Sequence, residues 1–309
     1  ITAKVLLRLK PDIRDLDLES DFAPGMQISE LTQIIKYGIP TKELLEMAGR
    51  IKGLEHIEAV GVHVHMGRHS KRPIVWEAWI RACIRLTRQV SDVMGGWTPS
   101  SVDVGGGFPS PLDHDPDVAV IDYETPSLEV FASTVGSTLR SALLEHGFNA
   151  DGIRLELEPG RGIHTDTGIH LATVRNVKTE DVGMDFRWAE IDTAETFLDG
   201  HGFNLERPIY DYFIANRMSS DNVGLYDIVG QTCNAEILVH RLPAPALERG
   251  DVVALLNTGA YGEPNAANFN ALPRPGTVLV NGDQATLIRR AETVDDVFAR
   301  DIVPEHLSR

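Results

Sequence analysis

Residues 101–107 read SVDVGGG, a short apolar run that passes directly into three glycines. The valines predict a strand over Ser101–Val104, and the glycines predict a tight loop at its carboxyl end. Residues 153–161 read IRLELEPGR, which predicts a second strand over Ile153–Leu157, followed by a glutamate, a proline and a glycine. Strands that end in such loops are typical of parallel α/β folds, whose ligand sites lie at the carboxyl ends of the strands.

Strands and helices alternate on both sides of this stretch through the first half of the chain. Further strands are predicted over Val5–Leu9 and Ala59–His65. Apolar residues at helical spacing predict helices over Thr41–Ile51, Ile74–Met94 and Leu128–Leu144. The alternation predicts parallel βαβ units.

These βα units number about four, whereas a closed (β/α)8 barrel needs eight. Half a barrel leaves an open sheet edge, which soluble proteins avoid. We therefore expect residues 1–170 to form the C-terminal half of a TIM-like (β/α)8 barrel, with the preceding half missing from the start of the sequence. An open α/β domain with few strands is the alternative.

The second half of the chain has a different pattern, in which short β-like runs follow one another with turn residues between them. Strands are predicted over Leu171–Val177, Val252–Leu256, Thr277–Val280 and Thr286–Arg289, and Asn281-Gly282 is a hairpin signal between the last two. We expect residues 171–309 to form a C-terminal β-domain, a β-sandwich or Greek-key-like fold. The fold class is thus α/β plus β.

The composition of the chain excludes several classes of function. With 309 residues and a net charge of −16, it lacks the clustered Lys and Arg that nucleic-acid binding needs. Its apolar runs are too short to span a bilayer. Two cysteines do not make a disulfide framework, so a reducing, cytoplasmic location is expected.

Several short motifs carry side chains suited to chemistry, and each also has a structural explanation. They are the glycines at 105–107, Glu158–Arg161, the alternating His63 and His65, Cys233, and Tyr261 in a GAYG segment. Glycines let backbone N–H groups approach a phosphate, but they also serve in tight turns. A carboxylate beside an arginine can be a plain salt bridge, strand histidines are more often core groups than metal ligands, and a loop cysteine is usually inert.

The order of these motifs is more specific than any one of them. Along the chain they follow as Val5–Leu9, His63–Gly67, Asp103–Pro109, Glu158–Arg161, Cys233 and Ala260–Asn270. In this order the chain resembles the fold-type III, pyridoxal-phosphate-dependent decarboxylases, the ornithine/diaminopimelate decarboxylase family. The resemblance runs from about Val5 to Ala299, and the segments around Gly105 and Glu158 are its most specific matches.

The resemblance implies a role for each matching residue of the first half. His65 would stack on the pyridoxal ring, and Glu158 would pair with the pyridine nitrogen. A backbone cradle for the phosphate would come from Gly105, Gly106, Gly107 and Gly160, with Arg161 close by. A carboxylate at the pyridine nitrogen raises the pKa of that nitrogen and makes the ring a strong electron sink, which favours a decarboxylase over a racemase.

In the second half, the resemblance implies that Tyr261 contacts the phosphate through its hydroxyl. Cys233 would donate a proton to the α-carbon after carbon dioxide leaves, and Asp192 would bind the far end of the substrate. In this family Cys233 and Asp192 reach the site from a partner subunit, so a homodimer with active sites at the interface is implied. No metal is expected.

Three departures from the family pattern concern the cofactor and the substrate. No lysine matches the family's cofactor-binding lysine, which lies on the first barrel strand, so we expect it in the missing upstream region. Arg68 replaces a serine that helps to hold the phosphate, and Asn234 replaces an acidic residue that binds the substrate's distal group. Both are therefore assigned to substrate binding, and a substrate with an extra carboxylate becomes more plausible.

The sequence thus predicts a pyridoxal-phosphate-dependent decarboxylase that converts an amino acid to an amine and carbon dioxide. The expected substrate is a basic, diamino or carboxylate-bearing modified amino acid. Two alternatives stay open at this point. One is a racemase on the same scaffold, and the other is a catalytically inactive regulatory homologue.

Overall fold

The computed structural model describes residues 1–20, 25–67, 71–110, 125–180, 186–198, 210–234 and 236–307. These residues form two compact units. Unit 1 spans Ile1–Thr165 and unit 2 spans Asp166–Arg309.

Unit 1 alternates strands with helices, as the apolar spacing predicts. Its strands are β1 (Ala3–Arg8), β2 (Ile57–His63), β3 (Ser101–Asp103) and β4 (Arg154–Glu156). Its helices are α1 (Ile28–Ile34), α2 (Thr41–Ile51), α3 (Pro73–Val93), α4 (Leu128–Glu145) and α5 (Arg161–His164), with a 3-10 turn at Ala150–Gly152.

The core of unit 1 consists of the apolar faces of the long helices and the sheet. Helix α3 buries Trp76 and helix α4 buries Phe131, and these rings pack edge to face at 6.0 Å. Phe108, in the loop after β3, stacks on Trp76 with ring centroids 4.4 Å apart. Burial removes a large apolar area of each ring from water, which stabilises this packing by about 1.5–3 kcal/mol per side chain. The loop that begins with the three glycines is thereby anchored to the core.

The four strands form a parallel sheet in the order β1-β2-β3-β4. Their register places Arg8 opposite His63 and His63 opposite Asp103. Asp103 in turn pairs with Glu156. All four strands therefore end at the same level, and the loops that follow them share one edge of the sheet.

Unit 2 is built mainly of β-strands. They are β5 (His170–Glu180), β6 (Phe186–Ile191), β7 (Tyr212–Ile214), β8 (Gly224–Val229), β9 (Ile237–Ala244), β10 (Val252–Leu255), β11 (Thr277–Asn281) and β12 (Gln284–Arg289). Short helical turns are α6 (Gly262–Asn265), α7 (Val294–Val297) and 3-10 turns at Thr165–Thr167, Glu195–Phe197, Phe269–Ala271 and Glu305–Leu307.

The described strands of unit 2 pair into a mixed sheet and a hairpin. The sheet has the order β7-β10-β5-β6-β8-β9, in which only β6 and β8 run parallel. Its core includes Val174, Ile191, Ile228 and Leu255. Strands β11 and β12 form the predicted hairpin, in which Asn281 pairs with Gln284 and Gly282 adopts a positive φ of 61°.

The coarse fold class, α/β followed by β, is confirmed. Four elements of unit 2, β6 to β9, were not predicted, and neither was α1 of unit 1. Strand β9 carries Pro243, which normally argues against a strand. Here β9 is an edge strand of the sheet, where the missing N–H of a proline is tolerated. Among the described residues, no helix combines the length and the apolar character needed to cross a membrane.

Candidate active site

Three ionisable side chains meet at the carboxyl edge of the unit 1 sheet. The Nε2 atom of His63 lies 3.6 Å from the Oε2 atom of Glu158. Asp103 joins them, and one ligand atom from each of the three residues lies within 4.8 Å of the others. Each residue stands at or just after a strand end, so the parallel register brings the three together. The imidazole nitrogen and carboxylate oxygens of this cluster suit a cation or a protonated ring nitrogen as partner.

A glycine turn lies beside this cluster. Gly105 has a φ of +76°, and its N–H donates to Oδ1 of Asp103 at 2.8 Å. A Cβ at Gly105 would stand 2.5 Å from the carbonyl oxygen of Val64, and a Cβ at Gly106 would collide with the carbonyl oxygen of Glu158. The N–H of Glu158 donates to the carbonyl of Gly105 at 3.0 Å, which joins the two loops. Only glycines therefore fit here, for steric and conformational reasons.

His65 lies over the same turn. Its Nδ1 accepts a hydrogen bond from the N–H of Gly67 at 2.8 Å, which leaves the proton of the neutral ring on Nε2. That Nε2 atom lies 3.4 Å from the position of a Cβ at Gly106. Burial lowers the pKa of His65, Glu158 raises it, and Arg8 lowers it further. The imidazole is therefore neutral near pH 7, as suits a flat group that packs against a ring.

The remaining predicted residues of unit 1 lie in the adjoining loops. Gly107 has a positive φ of 86°. Gly160 immediately precedes helix α5, and Arg161 is the first residue of that helix and is buried. The Glu158 side chain is half exposed at 51%, so its carboxylate is accessible to a ligand. Arg68 lies outside the described residues.

Cys233 lies in an exposed turn of unit 2 that a buried glutamate holds in place. Oε1 of Glu236 accepts from the N–H of Thr232 at 3.0 Å and from its hydroxyl at 2.9 Å. Oε2 of Glu236 accepts from the N–H of Glu195 at 2.7 Å. Because all three donors point at one carboxylate, the Cys233 turn is tied to the Glu195–Phe197 turn. Glu236 was not among the predicted site residues.

The other predicted residues of unit 2 have distinct surroundings. Asn234 is exposed, and its Nδ2 donates to Oε1 of Glu195. Asp192 accepts from the guanidinium of Arg175 at 2.6 Å and from a backbone N–H, so its carboxylate is partly engaged within the unit. Tyr261 is half exposed and adopts a positive φ of 66° before helix α6.

Two members of the unit 1 cluster, His63 and Asp103, were not among the predicted site residues. The sequence shows no acidic residue at ligand spacing from His63, because its acidic neighbours come from other strands. The signal that identifies them is the shared strand end: His63, Asp103 and Glu156 occupy paired positions in the parallel sheet. A half-buried histidine of unit 2, His170, was also not singled out by the sequence.

The chain belongs to the family of pyridoxal-dependent decarboxylases. The model of that family's pyridoxal-binding domain matches residues 2–165, which is more than half of the 309 residues. The match coincides with unit 1. The resemblance inferred from the sequence motifs is thereby confirmed.

Individual relatives extend the similarity over both units. The diaminopimelate decarboxylase of Haemophilus influenzae is 27% identical over 304 residues, which cover 96% of this chain and 64% of that protein. The diaminopimelate decarboxylase of Pseudomonas fluorescens is 30% identical over 312 residues, covering 99% of this chain and 66% of that protein. The chain thus spans about two thirds of the length of these curated relatives.

A solved structure shows the same fold. The crystal structure of a diaminopimelate decarboxylase from Methanocaldococcus jannaschii superposes with a TM-score of 0.82 at 24% identity. It covers 99% of this chain, and this chain covers 65% of it. The fold of both units is therefore the fold of that enzyme over the shared region.

The residues of unit 1 fit pyridoxal phosphate. The glycines after β3 form a turn of closely packed backbone without side chains, and backbone N–H groups in such a turn suit a phosphate. The exposed carboxylate of Glu158 is placed to pair with a protonated pyridine nitrogen, and neutral His65 offers a ring face beside it. The family's cofactor thus has a matching donor set within unit 1.

Proposed function

We propose that this chain is the larger part of a pyridoxal-phosphate-dependent enzyme that removes the α-carboxylate of an amino acid as carbon dioxide. The observation that carries the proposal is the position of Glu158, half exposed at the carboxyl edge of the parallel sheet beside the glycine turn. Membership of the pyridoxal-dependent decarboxylase family supports the same activity.

When bound, the cofactor supplies the electron sink that accepts the negative charge left at the α-carbon. The chain's own residues prepare it for this task. Glu158 keeps a proton on the pyridine nitrogen, because a carboxylate beside it raises the pKa of that nitrogen. His65 would pack on the ring, and the N–H groups of Gly106, Gly107 and Gly160 would hold the phosphate with Arg161 and, as the family resemblance implies, Tyr261. Gly105 would shape the turn instead, because its N–H donates to Asp103.

Proton return to the α-carbon is assigned to Cys233. Its thiol is exposed and lies in a turn that Glu236 fixes, so it is accessible to a substrate and limited in its motion. As the family resemblance implies, we assign Cys233, Asn234 and Asp192 to the active site of a partner subunit. A homodimer follows from this assignment.

The proposed substrate is a diamino acid that carries a second carboxylate, such as diaminopimelate. The two curated relatives compared above are diaminopimelate decarboxylases. Asn234 is neutral, and its side-chain N–H donates to Glu195, so an acidic side chain is absent from this position and the amide oxygen is what it offers a substrate as an acceptor. Arg68, by its chemistry, suits the second carboxylate or the phosphate. A simple diamino acid such as ornithine would lack the second carboxylate for Arg68 to bind.

The finer architecture belongs to the same proposal. Residues 1–170 would be the C-terminal half of a (β/α)8 barrel, and residues 171–309 a sandwich-like β-domain. The parallel four-stranded sheet of unit 1 and the mixed sheet of unit 2 support this division. The cofactor-binding lysine is assigned to the barrel half outside residues 1–309, and the location of the enzyme to the cytoplasm.

Carbon dioxide release by the full-length protein loaded with pyridoxal phosphate tests the proposed function. Diaminopimelate, ornithine, lysine and arginine would each be supplied, and the amine products identified. We expect release from diaminopimelate, with lysine as the product. Racemisation of an amino acid without carbon dioxide release would contradict the proposal and favour a racemase. No reaction and no bound cofactor would favour an inactive homologue.

A further inference from the structure

A side chain in unit 2 contacts the sulfur of Cys233. Nδ2 of Asn270 lies 3.5 Å from Sγ of Cys233, within the range of an N–H···S hydrogen bond. Both residues are exposed, so the contact lies at the surface that a substrate would approach. A terminal amide at this distance donates to the sulfur and leaves the thiol's own proton free.

The backbone of the Asn270 segment is left-handed at two successive residues. Asn270 has φ 55° and ψ 25°, and the next residue, Ala271, also has a positive φ of 57°. Asparagine tolerates the left-handed conformation, whereas alanine does not do so readily. Such residues cluster at functional sites, where the surrounding structure holds them against the strain. The segment therefore orients the Asn270 amide towards Cys233, although Ala271 carries backbone strain.

The Asn270 segment is anchored by its neighbours. Nδ2 of Asn268 donates to the carbonyl of Leu272 at 2.9 Å and to Glu292 at 2.6 Å. The N–H of Ala267 donates to the carbonyl of Thr196 at 2.8 Å. Thr196 belongs to the Glu195–Phe197 turn, to which Glu236 also ties the Cys233 turn. Thiol and amide are thus both fixed to one short turn, which sets their separation.

We propose that Asn270 is a positioning residue for Cys233, and this inference rests on the proposed function. In the proton-return step the S–H bond breaks and a C–H bond forms at the α-carbon, whose electron pair takes the proton. The sulfur keeps the S–H electron pair and becomes a thiolate, which solvent later reprotonates. The N–H of Asn270 holds the sulfur in place and stabilises the thiolate by a hydrogen bond.

The pH dependence of Cys233 alkylation by iodoacetamide, measured on the full-length protein without substrate, tests this role. Asn270→Gly removes the amide and keeps a residue that tolerates positive φ, and Asn270→Asp keeps the shape but removes the donor. We expect the midpoint of the alkylation profile to move to higher pH in both variants. The rate at pH 7 should fall by roughly two- to tenfold, the range that one hydrogen bond of ordinary net strength supplies.

Two controls make the result specific to the sulfur contact. Asn257 also has a positive φ, of 61°, but its Nδ2 donates to Asp211 at 3.0 Å, so Asn257→Gly should leave the profile unchanged. Cys233→Ser gives the background from all other thiols, and Cys83 adds little because burial raises its pKa to about 12. Circular dichroism would confirm that each variant is folded.

Unchanged profiles in both Asn270 variants would overturn the positioning role. A shift in Asn270→Asp without a shift in Asn270→Gly would also overturn it. The amide is lost in both variants, so the shift would then come from the added carboxylate. The test is independent of turnover. Shifted profiles in a protein that releases no carbon dioxide would support the Asn270–Cys233 contact and contradict the proposed function. Carbon dioxide release with unshifted profiles would contradict only the contact's role.

Discussion

The Nε2 atom of His63 lies 3.6 Å from the Oε2 atom of Glu158 at the edge of the unit 1 sheet. His63 ends β2 and Glu158 follows β4, and these two strands are not neighbours in the sheet. Strand β3 lies between them and supplies Asp103 to the same cluster. The cluster is therefore a product of parallel register, and its chemistry depends on the loops that keep these strand ends close. The glycine turn after β3 is one of those loops, and a Cβ at Gly105 or Gly106 would collide with its neighbours' backbone.

Replacement of Gly106 by alanine should damage the cofactor cradle. A Cβ at this position would collide with the carbonyl oxygen of Glu158, so one of the two loops must move. We expect a loss of about 1–3 kcal/mol in the free energy of unfolding and weaker pyridoxal phosphate binding. Urea unfolding and a cofactor titration would measure both.

Gly136→Ala is the matched control for this change. Gly136 lies within helix α4, and a Cβ there would meet no atom within 4 Å. Alanine should stabilise the helix by about 0.5–1 kcal/mol and leave cofactor binding unchanged. Equal effects of the two substitutions would show that the Gly106 turn is not sterically restricted.

His170 should make the protein less stable in mild acid. Its Nε2 lies 2.6 Å from the hydroxyl of Thr193, and burial lowers its pKa to about 4, while Asp192 raises it. A histidine with a depressed pKa binds fewer protons when folded than when unfolded, so stability falls as pH drops below about 6.5. Between pH 8 and pH 5 this group should account for about 2 kcal/mol of lost stability.

Urea unfolding of His170→Gln at the two pH values isolates this contribution. Glutamine has no charge to gain, so the variant should lose about 2 kcal/mol less than the wild type on acidification. If both proteins lose the same amount, His170 titrates normally in the folded state and the acid sensitivity has another source.

Glu236 should be essential for the geometry of the Cys233 turn. Its buried carboxylate accepts from three donors on two turns. In Glu236→Gln an amide N–H would face a backbone N–H, which costs about 2 kcal/mol. We expect this loss in unfolding experiments, together with slower alkylation of Cys233 at neutral pH.

Glu248→Gln provides the comparison for Glu236. Its side chain is 72% exposed and pairs with Arg217 at 3.3 Å, so its removal should change stability by less than about 0.5 kcal/mol. A Glu236→Gln variant that behaves like Glu248→Gln would contradict the anchoring role of the buried carboxylate.

The sequence predicted unit 1 well because its elements depend on apolar periodicity. Helix α2 begins and ends where expected, α3 is shifted by one residue at both ends, and α4 is one residue longer at its C-terminus. Unit 2 was predicted only in part. Strands β6, β8 and β9 contain charged residues, β7 has only three residues, and the pairing of these strands is mostly non-local. Such strands are stabilised by tertiary contacts that no local pattern reveals.

The candidate site shows the same division. Gly105, Gly106 and Glu158 are recognisable because a strand, a turn and a charge adjoin in sequence. His63 and Asp103 joined them only through strand register. The contact of Asn270 with Cys233 depends on two left-handed backbone conformations and on anchors distant in sequence, which spacing alone does not indicate.

The central claim is that Glu158 at this strand edge enables decarboxylation by holding a protonated pyridine nitrogen. The most direct measurement is carbon dioxide release from diaminopimelate by the full-length, cofactor-loaded wild type and by Glu158→Gln, with cofactor content measured in parallel. We predict that Glu158→Gln retains cofactor but releases carbon dioxide roughly ten- to thousandfold more slowly, since the adjacent charge shifts the nitrogen's pKa by about 1–3 units. Equal rates in the two proteins at equal cofactor content would contradict the claim.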